Sequence, residues 1–174
     1  MSIRQFNGSW VPAEDRLLIR LSTGDDEEFR LSLTRRVTRV LLGGGRQLTQ
    51  KALERTHAPD QAQAIREFEQ QAIRQNADFS VAYQEARTLP LGEAPVLVSE
   101  LVMRIEGEQI SIDFRLANGR NLKLMLPRAM LYTFLLLLDR LQQQAQWDLD
   151  VAPVAQQPAI ESVVPAGNPG KGVH

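Results

Sequence analysis

Apolar and polar residues alternate in two stretches of the chain, and each stretch runs directly into a helical pattern. In residues 17–42 the alternation continues to Leu33 and helical spacing follows from Thr34. Residues 110–135 repeat this order, and the two stretches align without a gap. The pattern predicts two units, each a β-hairpin followed by a helix, which either arose by internal duplication or recur by chance as a common motif.

The alternation from Val96 to Leu126 predicts a three-stranded meander whose register is fixed by its turns. Gly107-Glu108 suits a two-residue turn, and Ala117-Asn118-Gly119 suits a three-residue loop. The resulting register pairs Ile105 with Ile110, Met103 with Ile112, Leu101 with Phe114, Phe114 with Leu122, and Ile112 with Leu124. On the opposite face it sets Glu100 against Arg115 and Asp113 against Lys123. Opposite charges on both ladders favour this register, since a slip by one residue would bury them.

The first hairpin has an unusual outer face. Its predicted register pairs Leu21 with Phe29, Ile19 with Leu31, and Leu17 with Leu33. The same register sets Arg20 against Arg30. This like-charge pair destabilises the sheet unless an acidic neighbour or a bound anion neutralises it. A further strand around residues 6–10, ending at Pro12, suits the edge of the sheet.

Helices are predicted for most of the remaining chain. Thr34 can cap a first helix, which we expect to break at Gly43-Gly44-Gly45. Pro59 opens an inserted helix over 59–77 with Ile65, Phe68 and Ala72 on its packing stripe, and Pro127 opens the last helix, to about Trp147.

These elements predict a single α+β domain over residues 1–147. We expect an antiparallel sheet of five to six strands, two hairpin–helix units related by a pseudo-two-fold axis, and helices packed on one face of the sheet. Residues 148–174 are rich in proline and glycine and lack a trustworthy alternation. They are expected to form a mobile tail.

Composition narrows the class of protein. The chain is 43% hydrophobic and 24% charged, with a net charge of −1, which is typical of a globular protein without a strong pull toward nucleic acid or anionic lipid. The absence of cysteine excludes disulfides and thiolate chemistry. The N-terminus has no signal-peptide pattern, and the longest apolar stretch, 129–138, is about half the length of a membrane span. We therefore expect a cytoplasmic protein with no membrane partner, and the preference for arginine over lysine favours a bacterial origin.

Arginines at the starts of two helices are candidates for anion binding. A cation at a helix N-terminus opposes the helix dipole, and arginine is found there in both units. The candidate set, which could hold a phosphate, a carboxylate or single-stranded nucleic acid, is Arg20, Arg30, Arg35, Arg36, Arg39 and Arg128. The alternative, which we favour, is that the acidic loop 25–28 neutralises Arg35 and Arg36 within the fold.

The last helix is apolar on nearly all sides, which predicts burial on more than one face. Either the fold itself covers this surface, or part of it forms an interface with a second copy or a protein partner. The candidate interface residues are Met130, Tyr132, Leu136 and Leu137.

Nothing in the sequence has the spacing that catalysis requires. The triple glycine lacks the lysine-serine or lysine-threonine ending of a phosphate loop, and His57 is the one internal histidine. Carboxylates could support an enzyme through Asp15, Asp25, Asp26 or Asp78, but none lies in a recognisable pattern. We therefore expect no catalytic residues, no metal site and no cofactor. The expected function is a non-enzymatic binding or assembly module that associates with itself; anion binding is the alternative, and a carboxylate-dependent enzyme a more remote one.

Overall fold

A computed structural model describes residues 2–77, 79 and 82–149 of the chain. Its elements, in chain order, are β1 (Ile3–Val11), β2 (Arg16–Thr23), β3 (Glu28–Leu33), α1 (Arg35–Glu54), α2 (Pro59–Asn76), β4 (Val96–Glu106), β5 (Gln109–Leu116), β6 (Asn121–Pro127) and α3 (Arg128–Gln144). The fold is α+β, as the sequence predicts.

The six strands form one mixed sheet in the order β1-β2-β3-β4-β5-β6. Four of the five junctions are antiparallel, but β3 and β4 run parallel and pair only through Leu31 with Val96 and Ser32 with Leu97. The prediction of a purely antiparallel sheet is therefore wrong. The reason is the long crossover through α1 and α2, which returns the chain to the end of the sheet from which β3 started.

The strand order also rules out the expected pseudo-two-fold axis. A two-fold axis would reverse the order of the strands in the second unit. In the sheet, β4, β5 and β6 instead follow in the same order and run in the same directions as β1, β2 and β3. The order three strands then helix occurs twice along the chain, as β1–β3 with α1 and as β4–β6 with α3. This recurrence of a common motif does not support an internal duplication.

Every strand pair predicted within the two hairpins and the meander is confirmed, and β1 forms the expected edge strand. Glu100 and Arg115 form an ion pair of 2.9 Å. In the other predicted charge pair, the two side chains lie opposite each other, but each forms an ion pair with a residue of β4 instead. Asp113 lies opposite Lys123 but binds Arg104 at 2.9 Å, while Lys123 binds Glu106 at 2.9 Å.

The core lies between one face of the sheet and the helices α1 and α3. Alternate residues of β2, β3, β5 and β6 are fully or almost fully buried there, and Phe6 of β1 stacks on Phe134 of α3 with ring centroids 4.9 Å apart. Helix α2 packs on α1 and α3 and buries only Ala62. Phe68 is 73% exposed, so its predicted place in the packing stripe is wrong. The half-buried face of α2 is instead the neighbouring one, where Glu69 forms an ion pair with Arg128 of α3.

Helix α1 runs without interruption through Gly43-Gly44-Gly45, contrary to the predicted break. A Cβ atom on Gly45 would lie 2.8 Å from both methyl groups of Leu135 in α3. Glycine is therefore required here by the close approach of two helices rather than by a turn. Burial of α1 against α3 and β4 outweighs the weak helix propensity of glycine.

Alternate residues of the described chain remain buried beyond the end of α3. Trp147 is 5% exposed and Leu149 is 9% exposed, and both belong to the core. Leu149 therefore packs in the core, two residues beyond Trp147. The rest of the predicted tail, residues 150–174, lies outside the described residues. No helix in the described part of the chain is long and apolar enough to cross a membrane.

Candidate functional site

The opposed arginines of the first hairpin share one buried carboxylate. Arg20 and Arg30 face each other across β2 and β3, and Glu28, whose side chain is fully buried, accepts hydrogen bonds from both guanidinium groups at 2.6–3.1 Å. Burial alone would raise the pKa of Glu28, but the hydrogen bonds from Arg20 and Arg30 lower it to about 2. A buried acidic neighbour therefore neutralises the like-charge pair within the fold.

Described residues of the segment that links α2 to β4 contact this cluster. Arg20 lies over the ring of Tyr83, 4.2 Å from its centroid, and also binds Glu85 at 3.2 Å. Arg30 donates to the backbone oxygen of Glu93 at 2.9 Å. Arg20 thus donates through Nε and Nη2, and Arg30 through Nε and Nη1. Through these bonds the two arginines tie described residues of the crossover segment to the sheet.

The arginines at the start of α1 do not meet the acidic loop. Arg35 donates to Asp15 at 2.7 Å, and Trp147 donates its indole N–H to the other oxygen of the same carboxylate at 2.7 Å. These two hydrogen bonds lower the pKa of Asp15. The predicted neutralisation of Arg35 and Arg36 by residues 25–28 is therefore wrong. In the sequence Asp15 is an isolated carboxylate, because its partners Arg35 and Trp147 lie 20 and 132 residues away.

The remaining candidate arginines are dispersed. Arg36 donates to the backbone oxygen of Ser99 at 3.3 Å, and Arg128 forms a bidentate pair with Glu69 at 2.7 and 2.8 Å. Arg39 is exposed, and among the described residues it forms no ion pair. Arg20 and Arg30 thus lie together at Glu28, the other three of the first unit lie along the start of α1, and Arg128 lies at the start of α3. The six arginines therefore do not form one cluster.

The candidate interface residues on α3 divide between two sides of the helix. Met130 and Leu137 face the edge of β1, with Leu137 buried, while Tyr132 and Leu136 line a groove against α2. Tyr132 is 3% exposed, and burial raises its pKa to about 12. The fold itself covers Tyr132 and Leu137, so of the four only Met130 and Leu136 keep partial exposure.

Groups with catalytic potential remain scattered in the described part of the chain. His57 contacts Thr56 and the backbone oxygen of Leu53, without a carboxylate partner. Asp26 lies 3.5 Å from Arg87 in an exposed pair, and Asp78 lies outside the described residues. Within the described ranges no group of three histidine or acidic side chains could hold a metal ion.

A free strand edge in the middle of the sheet is the feature that the sequence analysis missed. Strand β4 has 11 residues and β3 has six, and β3 pairs with β4 only at residues 96 and 97. From Ser99 onward, within the described residues, β4 is therefore hydrogen-bonded to a strand on one side only, that of β5. The predicted strands differ in length, so part of the longer one must stay unpaired if the two are neighbours. The sequence does not show that β3 and β4 are neighbours; the structure does.

The hairpin turn determines which backbone groups of β4 point outward. Glu106 pairs with Gln109 across the two-residue turn, so the even-numbered residues from 100 to 106 bond to β5. The N–H and C=O groups of Leu101, Met103 and Ile105 then point away from β5. Among the described residues, no backbone hydrogen bond from another strand or loop reaches them. They form an open row of donors and acceptors.

Helix α1 forms the second wall beside this edge. The groove between them is lined by Arg36, Val37, Val40, Ser99, Glu100 and Leu101. Val40 is 40% exposed and Val102 is 36% exposed, which makes them two of the three large apolar residues that the described chain leaves exposed. An open strand edge beside exposed apolar side chains is the arrangement by which proteins bind an extended segment as an additional strand.

Comparison with known proteins found no match. No family model, no curated protein and no solved structure matches this chain. The candidate site therefore stands on its own geometry.

Proposed function

We propose that this protein is a non-enzymatic binding module that captures an extended polypeptide segment by strand addition along β4. The observation that carries the proposal is the outward row of backbone groups at Leu101, Met103 and Ile105, which has no partner strand in the described chain. The exposed Val40 and Val102 beside it favour a partner with apolar side chains. The absence of cysteine agrees with a cytoplasmic location, which we include in the proposal.

The chemistry of the groove favours a protein partner over nucleic acid. The charges nearest the open edge are mixed, with Arg36 and Arg104 balanced by Glu100 and Glu106. Four of the six candidate arginines are already bound to carboxylates within the chain, at Glu28, Asp15 and Glu69. A surface that binds nucleic acid would present unpaired cations along a track.

The proposal is tested with a designed peptide, an acetylated hexapeptide of alternating valine and threonine. The matched control is the same peptide with N-methyl groups on alternate residues, which removes the donors needed for strand addition. We expect the unmethylated peptide to shift the NMR signals of the amides of Leu101, Met103 and Ile105 more than those of Val102 and Arg104, whose N–H groups already bond to β5. The N-methylated peptide should leave all of them in place.

Two results would overturn the proposal. One is the absence of shifts along β4 at millimolar peptide, measured at a protein concentration at which the chain is monomeric. The other is equal binding of the methylated and unmethylated peptides, which would show that the contact does not use the backbone edge.

A further inference from the structure

The charges on β4 indicate which segment its open edge accepts. We infer that β4 pairs with β4 of a second copy of this chain, antiparallel and centred on Val102. This inference rests on the proposed function, since it uses the same edge.

Only a limited set of registers brings the outward groups of both strands together. Outward residues must face outward residues across an antiparallel junction, so the sets 101, 103, 105 and 100, 102, 104, 106 pair only within themselves. A two-fold axis between the strands can therefore be centred on Val102, Met103 or Arg104 and still use most of the open edge. Side-chain charge on the polar face distinguishes these three registers.

The register centred on Val102 is the one with complementary charges. It sets Glu100 against Arg104 of the second copy, and by symmetry Arg104 against Glu100 of the second copy. Centring on Met103 sets Glu100 against Glu106, and centring on Arg104 sets two arginines against each other. Opposite charges facing each other across strands stabilise a sheet by about 0.2–1 kcal/mol, and like charges destabilise it.

The charges of β5 extend this complementarity. Within one chain Glu100 binds Arg115 at 2.9 Å, and Arg104 binds Asp113 at 2.9 Å. Pairing about Val102 would join these two ion pairs into a row of alternating sign: Arg115, Glu100, then Arg104 and Asp113 of the second copy. No charge in this row has a like-charged neighbour.

The same register uses the open backbone and covers exposed apolar surface. Leu101 faces Met103 of the second copy and Met103 faces Leu101, which provides about four hydrogen bonds between the chains. Val102, 36% exposed in the single chain, faces its own counterpart on the polar side. The Ser99 carbonyl, to which Arg36 donates, lies outside this central set of hydrogen bonds.

A charge-swap series tests the inference by sedimentation velocity on the full chain. The wild type is expected to dimerise in the micromolar range. Glu100→Arg places two arginines opposite each other, and Arg104→Glu places two glutamates opposite each other, so each single variant should dimerise about tenfold more weakly, because two symmetric pairs turn repulsive. The double variant E100R/R104E restores complementary charges between the copies and should recover dimerisation.

The double variant separates association from folding. Within one chain, E100R opposes Arg115 and R104E opposes Asp113, so the double variant carries both intramolecular costs. If the substitutions acted only through folding, the double variant would be the weakest of the series.

The inference is overturned by a wild type that stays monomeric to high micromolar concentration, by single variants that dimerise normally, or by a double variant that does not recover. In each case peptide binding to the outward amides of β4 would still support the proposed function, so the two failures are distinguishable.

Discussion

At the scale of single residues, burial and charge identify Glu28 as the residue on which the first half of the sheet depends. Its side chain is fully buried, while those of Arg20 and Arg30 are 20% and 26% exposed. The arginines can face each other only because this carboxylate lies beside both. Removing its charge leaves two partly buried cations in opposition.

We expect Glu28→Gln to lower the free energy of unfolding by about 3 kcal/mol, because one partner of a buried ion network is removed. Urea unfolding measures this loss. The matched control is Asp26→Asn, the same kind of change at an exposed pair 3.5 Å from Arg87, with an expected effect within about 0.5 kcal/mol. Equal losses in the two variants would contradict a special role for Glu28.

The pH dependence of stability gives an independent check of the same residue. The pKa of Glu28 in the fold is about 2, below its ordinary value of 4.5. Its carboxylate therefore stabilises the fold fully above pH 4.5, and this contribution is lost as the pH falls toward 2. The difference in unfolding free energy between wild type and Glu28→Gln should shrink between neutral pH and about pH 2. A constant difference would show that Glu28 does not titrate in this way.

At the scale of elements, local patterns determined the hairpins but not the contacts between elements. The registers of both hairpins and of the meander follow from alternation and turn chemistry, because each pair lies close in sequence. The continuity of α1 through three glycines could not be predicted, since it depends on Leu135, about 90 residues away. The partners of Arg35, Arg36 and Arg128 were missed for the same reason.

Neighbouring glycines of α1 should respond in opposite ways to alanine. At Gly45 a Cβ would lie 2.8 Å from Leu135 methyl groups, and we expect Gly45→Ala to cost about 1–2 kcal/mol through overpacking. At Gly44 the nearest atom is the flexible Sδ of Met103 at 3.2 Å, so Gly44→Ala should be neutral or gain up to about 1 kcal/mol from helix propensity.

Urea unfolding of the two variants measures this contrast, and Gly45→Ala in a Leu135→Ala background identifies its cause. If overpacking against Leu135 is responsible, the cost of Gly45→Ala disappears when Leu135 is shortened. A cost that persists in the double variant would contradict this explanation.

At the scale of the whole molecule, one parallel junction determines what the sheet can do. The crossover from β3 through α1 and α2 brings the long strand β4 beside the short strand β3, and the two strands pair at only two positions. Sequence patterns predicted both strands but not that they are neighbours, because nothing local to either strand encodes a pairing across the crossover. The open edge of β4, and therefore the proposed site, is a property of the topology.

Hydrogen exchange along β4, measured by NMR at low and at high protein concentration, tests the central claim most directly. At low concentration the amides of Leu101, Met103 and Ile105 should exchange fast, while those of Val102 and Arg104 should exchange slowly because they bond to β5. At high concentration the three outward amides should become protected as a second strand covers the edge. Protection of all five amides at a concentration at which sedimentation shows a monomer would mean that the edge is paired within the chain, and would contradict the account.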